Sequence, residues 1–153
     1  MSLQKENPMK RTSLLILASI ALLSACKSSQ PSPSLAPGGA EQLNNIRHIC
    51  ILSRTQDPNP GLNKQIAQSL TKYGISSETV DVTTNRQRLY ESECRYNLRY
   101  NTRGSGNSIN YISLLIRTPD HPVASLRANP NIQSSQSQQA EIDRIIGRLL
   151  NKQ

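Results

Sequence analysis

The chain has 153 residues, with 18 Lys and Arg against 10 Asp and Glu, and a formal charge of +8. This length predicts one folded domain, and 35% hydrophobic with 18% charged residues is not the composition of a disordered chain. The absence of an apolar run near 20 residues excludes a polytopic membrane protein, and the absence of Phe and Trp means that the core must rest on Ile, Leu, Val and Tyr.

The first segment has the layout of a bacterial export signal. Lys10 and Arg11 precede an apolar run over 14–23, which is too short to cross a bilayer as a helix. The run leads into Leu23-Ser24-Ala25-Cys26, which resembles a lipobox. We therefore predict a signal peptide over 1–25 and a lipidated Cys26 that carries palmitate-type acyl chains.

The residue after the lipidated cysteine indicates whether a lipoprotein stays in the inner membrane or moves to the outer membrane. It is Lys27 and not the Asp that holds enterobacterial lipoproteins at the inner membrane, so the outer membrane, periplasmic face, is expected. Translation from Met1 or from Met9 gives the same mature protein. Removal of residues 1–25 lowers the formal net charge by 2, so the mature chain has a net charge of +6.

Residues 26–45 contain prolines, serines and a Gly38-Gly39 pair, and this composition predicts a flexible linker. The folded domain is then expected over 46–153. Asn59 is the expected N-cap of the first helix, with Pro60 at its first position and Gly74 just beyond its end. Thr84 fits a capping box with Gln87 at the start of a short helix.

The hydrophobic pattern predicts the order β-α-β-(short α)-β-β-β-α. The strands are expected over 46–52, 75–82, 94–101, 109–117 and 121–128, and the final helix around Ile142–Leu149. The third strand alternates Cys94, Tyr96, Leu98 and Tyr100 with polar residues. A β-α-β start makes the first two strands parallel. The predicted fold class is therefore α/β (α+β), a two-layer sandwich with a mixed sheet and helices on one face.

Lipidation of Cys26 leaves Cys50 and Cys94 as an even pair in an oxidising compartment. Both are expected on core-facing strand positions, and a disulfide between them would stabilise a core that lacks Phe and Trp. Two buried free thiols are the alternative. No further ligand at a set spacing suggests a metal site.

Arg95 and Arg99 fall on the polar face of the same predicted strand, and Arg117 falls on the returning strand. Such a row can dock an anionic partner: lipopolysaccharide phosphate, peptidoglycan carboxylate or an acidic envelope protein. A solvated sheet face is the alternative. Nucleic acid is not expected, because the mature chain faces the periplasm and no aromatic platform accompanies the charges.

The sequence contains no nucleophile elbow, no paired-carboxylate signature and no zinc-protease motif. We expect no catalytic residues, no cofactor and no enzymatic activity. His48 and His121 are unconnected in the sequence, and a small periplasmic hydrolase would require one of them to meet a carboxylate and a hydroxyl in a pocket.

From residue 46 onward the chain resembles a family of small Gram-negative lipoproteins. The likeness is carried by Ile49-Cys50-Ile51, by Gly74 after the first helix, by the Cys94-x-Tyr96-x-Leu98-x-Tyr100 strand and by the C-terminal amphipathic helix. Those relatives carry a tryptophan after the tyrosine strand, which this chain lacks. The resemblance implies fold and location and supplies no activity.

These features predict an outer-membrane-anchored lipoprotein with a small periplasm-facing binding or accessory domain. A subunit of an envelope secretion or assembly complex is the alternative.

Overall fold

The computed structural model describes residues 31–105, 108–130, 132 and 135–152. The predicted signal peptide, Cys26 and Lys27 lie outside the described residues. The sheet contains β1 (Ser34–Leu35), β2 (His48–Ser53), β3 (Ser76–Asp81), β4 (Asn97–Arg103), β5 (Tyr111–Arg117) and β6 (Pro122–Ala128). The helices are α1 (Gly39–Asn45), α2 (Leu62–Lys72) and α3 (Ser135–Leu149), and two 3₁₀ helices span Arg86–Tyr90 and Ser92–Cys94.

The six strands form one mixed sheet in the order β1-β6-β5-β4-β2-β3. β2 pairs in parallel with both β3 and β4, whereas β4, β5, β6 and β1 pair antiparallel. The α+β class, the parallel first pair and the antiparallel meander of the later strands were all predicted, and the structure confirms them. Within the described residues no helix combines the length and the apolarity needed to span a bilayer.

Alternation along β2 separates two apolar clusters. Ile49 and Ile51 belong to the main core, which also takes its buried side chains from all three helices. Cys50 lies between them in sequence and so points to the opposite face, where it joins Val80, Cys94 and the partly buried Leu89 in a second, smaller cluster. The helices therefore cover one face of the sheet, and the 3₁₀ segments cover part of the other.

Helix α2 ends as its sequence predicts. Gly74 has φ 72°, the Ile75 amide donates to the Leu70 carbonyl, and the Gly74 amide donates to the Thr71 carbonyl. This is the Schellman arrangement, which needs a residue in the left-handed region.

The predicted start of α2 is wrong. Asn59 is 3% exposed, and its side-chain amide donates to the Thr102 hydroxyl and the Gly104 carbonyl. The helix begins at Leu62, after Gly61 in the left-handed region. Asn59 instead connects the loop after β2 to the end of β4, and α2 begins without a side-chain cap.

The expectation of a flexible linker over 26–45 is wrong for residues 34–45. β1 pairs with β6, and Leu43 of α1 is buried in the main core. The two-residue strand β1 is held by backbone hydrogen bonds, which do not depend on the side chains. In α1 the single buried leucine cannot produce a periodic hydrophobic pattern. A local pattern therefore carries no signal for either element.

Two expectations around the third predicted strand also need correction. Cys94 lies at the end of a 3₁₀ helix, and β4 begins only at Asn97. The Thr84 capping box is absent, because Asn85 precedes a 3₁₀ helix that has no side-chain cap. The second 3₁₀ helix places Cys94 in the small cluster with Cys50.

Candidate functional site

A cleft of about 520 Å³ opens at the carboxyl ends of β2 and β3, beside β4. Its lining comes from three stretches of chain: the end of β2 and its following loop, the segment after β3, and residues 99–102 of β4. β2 pairs with β4 only as far as Ile51 and Leu98, so the strands separate beyond this point. The cleft occupies that separation.

The topology explains why a cleft forms at this place. From β2 the chain reaches β3 through α2 on the main-core face, and from β3 it reaches β4 through the 3₁₀ segments on the other face. β3 and β4 flank β2 on opposite sides. In open sheets with parallel strands, ligands bind outside the carboxyl ends of the strands where the connections diverge in this way.

Three arginines line the cleft, one from each stretch: Arg54, Arg86 and Arg99. All three side chains are exposed, and within the described part of the chain none of them has a salt bridge. The remaining charged residue of the lining is Asp57. The cleft, which we call the arginine cleft, therefore has a net charge of +2.

The single carboxylate of the arginine cleft, that of Asp57, is hydrogen-bonded within the protein. Asp57 accepts a hydrogen bond from the Tyr100 hydroxyl and another from the backbone amide of Asn59 at 2.8 Å. Burial raises the pKa of Tyr100, and the hydrogen bond to Asp57 raises it further. Tyr100 therefore stays a neutral donor, Asp57 is held in place, and the three guanidinium groups face solvent unpaired.

Among the residues that the structure describes, Arg88, which lies outside the cleft lining, is paired with carboxylates, unlike the three arginines of the cleft. Arg88 pairs with Glu78 at 2.7 Å and also with Glu91 and Glu93. The hydrogen bond from Arg88 holds the pKa of Glu78 below its ordinary value. This cluster ties the first 3₁₀ helix to β3 and thereby positions the wall of the arginine cleft that carries Arg86.

The two cysteines lie behind that wall. Cys50 and Cys94 are at disulfide-bonding distance, with their Cα atoms 5.2 Å apart. Both are fully buried, but in the small second cluster and not in the main core. His48, Cys50 and Glu78 lie close enough together to be considered as possible metal ligands. A sulfur bonded to Cys94 is not a thiolate ligand, and Glu78 is already bound by Arg88.

Of the three arginines predicted from sequence, Arg99 and Arg117 lie as diagonal neighbours on one face of β4 and β5, whereas Arg95 lies outside the strand. Arg99 lines the arginine cleft. Arg117 pairs through its backbone with Asn97, and its guanidinium donates to the carbonyls of Thr118 and Pro119. Arg95 follows the second 3₁₀ helix in a helical conformation. The predicted placement of Arg95 on this strand is wrong, because the strand begins two residues after Arg95.

Sequence reasoning missed Arg54 and Arg86. Arg54 directly follows the last residue of β2, and Arg86 comes five positions after the end of β3. The carboxyl-end rule for parallel strands would have singled out both residues once β2 and β3 were taken as parallel.

The histidine arrangement required for a hydrolase is partly present, outside the arginine cleft. His48 lies 2.8 Å from the Ser76 hydroxyl and 3.3 Å from the Glu78 carboxylate. The Ser76 hydroxyl is also placed to donate to the Arg47 carbonyl, and Arg88 binds Glu78. His121 instead bonds Thr118 and Gln42 in a turn.

The architecture defines an open mixed-sheet α+β domain with a basic cleft at its strand ends. No known family profile matches the chain, and the comparison with curated proteins found no match.

The comparison with solved structures found two matches described as PelC. One is the PelC dodecamer from Paraburkholderia phytofirmans, at 13% identity with TM-score 0.52, covering 80% of this chain and 95% of that chain. The other is a point variant of the same dodecamer, at 12% identity with TM-score 0.45, covering 69% and 88%. At this identity the first likeness shows the fold alone.

Proposed function

We propose that this protein is an outer-membrane-anchored lipoprotein whose periplasm-facing domain is a non-enzymatic binding module. The observation that carries the binding role is the arginine cleft, an open site with unpaired cations at the position where sheets of this topology take ligands. The lipobox ending at Cys26 supports the anchor, and the Cys50–Cys94 pair suits an oxidising compartment.

The anchor is short in this proposal. Among the described residues the first element begins at Ser34, eight residues after Cys26. At about 3.1 Å per residue in extended form, the tether reaches on the order of 25 Å. The domain would therefore stay close to the membrane surface and meet ligands there.

Anchoring is tested in cells. Globomycin should make the unprocessed chain accumulate, and Cys26→Ser should move the protein out of the membrane fraction, whereas Ser28→Ala should leave it there. Lys27→Asp should shift the protein from the outer to the inner membrane fraction. Normal processing in globomycin would contradict lipidation at Cys26.

The binding role is tested with a photocrosslinking residue in the full chain. Gln56 is an exposed residue of the cleft lining, and Gln68 is exposed on α2, outside that lining. A discrete envelope adduct is expected from position 56 and not from position 68. Equal crosslinking from both positions would contradict a cleft-centred function.

A subunit of a larger envelope assembly is the second candidate. The fold neighbour is described as a dodecamer, and β3 lies at the edge of this sheet with one strand partner. An open edge strand offers backbone groups to another chain. Native mass spectrometry of the detergent-solubilised chain tests this candidate, and a monomer at micromolar concentration would contradict it.

A further inference from the structure

We infer that the arginine cleft is a binding site for a phosphate group, held by Arg54, Arg86 and Arg99. This inference rests on the proposed binding function and adds the chemical class of the ligand. The three residues come from three separate stretches of chain, and only the folded sheet brings them to one cleft.

Charge and valence favour phosphate over carboxylate. The lining has three cations and one aspartate, and that aspartate accepts hydrogen bonds from the Tyr100 hydroxyl and the backbone amide of Asn59. The remaining net charge of +2 matches a phosphate dianion. A guanidinium donates in a planar fork that suits phosphate oxygens, and three of them suit a group with three free oxygens better than one with two.

The surroundings add to the argument. Leu52, Val82 and Leu89 form an apolar side of the same cleft, with Leu89 packed on the disulfide cluster. Low-dielectric walls beside cations strengthen the field at the site. Asn101 and Thr102 add polar groups to the cleft lining. The ligand is therefore expected to carry its phosphate on a larger body that contacts this apolar side.

The test uses the full chain in detergent and isothermal titration with inorganic phosphate. Saturable binding at one site per chain is expected. Arg54→Gln, Arg86→Gln and Arg99→Gln should each weaken it at least about tenfold, since each removes a charged hydrogen-bond donor. Arg95→Gln and Arg127→Gln remove the same charge from exposed positions outside the cleft lining, and should change affinity by less than about twofold.

Two further arms separate the sources and the chemistry. Phosphatidylcholine vesicles with and without phosphatidate test for a lipid headgroup. Arginine-dependent binding to phosphatidate vesicles supports a lipid source, and binding of inorganic phosphate alone supports a soluble one. Succinate tests for carboxylate recognition.

Three results would overturn the inference: no saturable binding of either phosphate probe, succinate binding as tightly as phosphate, or equal losses in the Arg127→Gln control. Because the three guanidinium groups are exposed and unpaired, the variants should unfold at the wild-type urea midpoint. A failure here leaves the cell-based anchoring and crosslinking results standing, so the two proposals can fail separately.

Discussion

Replacing Leu43 with alanine tests whether the segment before β2 belongs to the folded domain. Leu43 is 2% exposed and packs in the main core. The change removes three carbons, at about 0.8 kcal/mol each, or roughly 2.4 kcal/mol of transfer free energy. The cavity left behind raises the expected loss of unfolding free energy to about 3–5 kcal/mol.

The measurement is urea unfolding followed by far-ultraviolet circular dichroism. A lower midpoint with an unchanged slope is expected if α1 unfolds together with the sheet. If α1 detaches first, the main transition keeps its midpoint, and hydrogen exchange shows protection lost over 39–45 alone. Either outcome would show that α1 is packed against the domain in the wild-type protein.

Glu41→Ala is the matched control, because Glu41 is exposed in the same helix. It should change the unfolding free energy by less than about 0.5 kcal/mol. The reasoning would be refuted if Leu43→Ala behaved like the control in both measurements. Residues 34–45 would then be a linker after all.

The other predictions concern the remaining constraints on the fold. Replacing both Cys50 and Cys94 with alanine should lower the unfolding free energy by about 4 kcal/mol, the chain-entropy value for a separation of 44 residues; no change, or two titratable thiols in the oxidised wild type, would contradict a bridge. Gly39→Ala should destabilise the domain, since a Cβ there would collide with the Val123 carbonyl oxygen, whereas Ala40→Ser at an exposed neighbour should not; equal urea midpoints would refute the close contact. Asp143→Asn should lower stability at pH 7 by about 1–3 kcal/mol, with Asp120→Asn in an exposed turn as its control.

The pH dependence of the Asp143 variant follows from its contacts. Burial raises the pKa of Asp143, but hydrogen bonds from Lys72, Ser69 and Gln139 outweigh it, and the net pKa is lowered. A carboxyl with a lowered folded pKa stabilises fully above the unfolded value, about 3.9, and loses this contribution as pH falls through the folded value. Wild type should therefore lose stability below about pH 4 more steeply than Asp143→Asn, and parallel curves would contradict the assignment.

Sequence patterns were sufficient where the signal is local. The amphipathic spacing of α2 and α3, the glycine after α2, and the alternation along β4 and β5 each report a backbone period or a left-handed residue. The succession of the five longer strands along the chain, the parallel first pair and the meander followed from these elements. The cysteine pairing could be suggested from the count of two, but the alternative of free thiols stayed open until the fold placed the residues together.

The parallel pairing of β2 and β3 points to Arg54 and Arg86, but local patterns could not show that Arg99 shares their cleft or that the segment before β2 is packed. Arg99 is 13 residues from Arg86 and 45 residues from Arg54 in the sequence, and the divergence of the connections around β2 brings the three together. Leu43 has no periodic neighbours, and β1 is held by two backbone pairs to a strand about 90 residues later. The sequence by itself determined the longer helices and strands, because backbone periodicity is local. The tertiary structure decided which charges share a surface and which segments are buried, because those depend on contacts between distant residues.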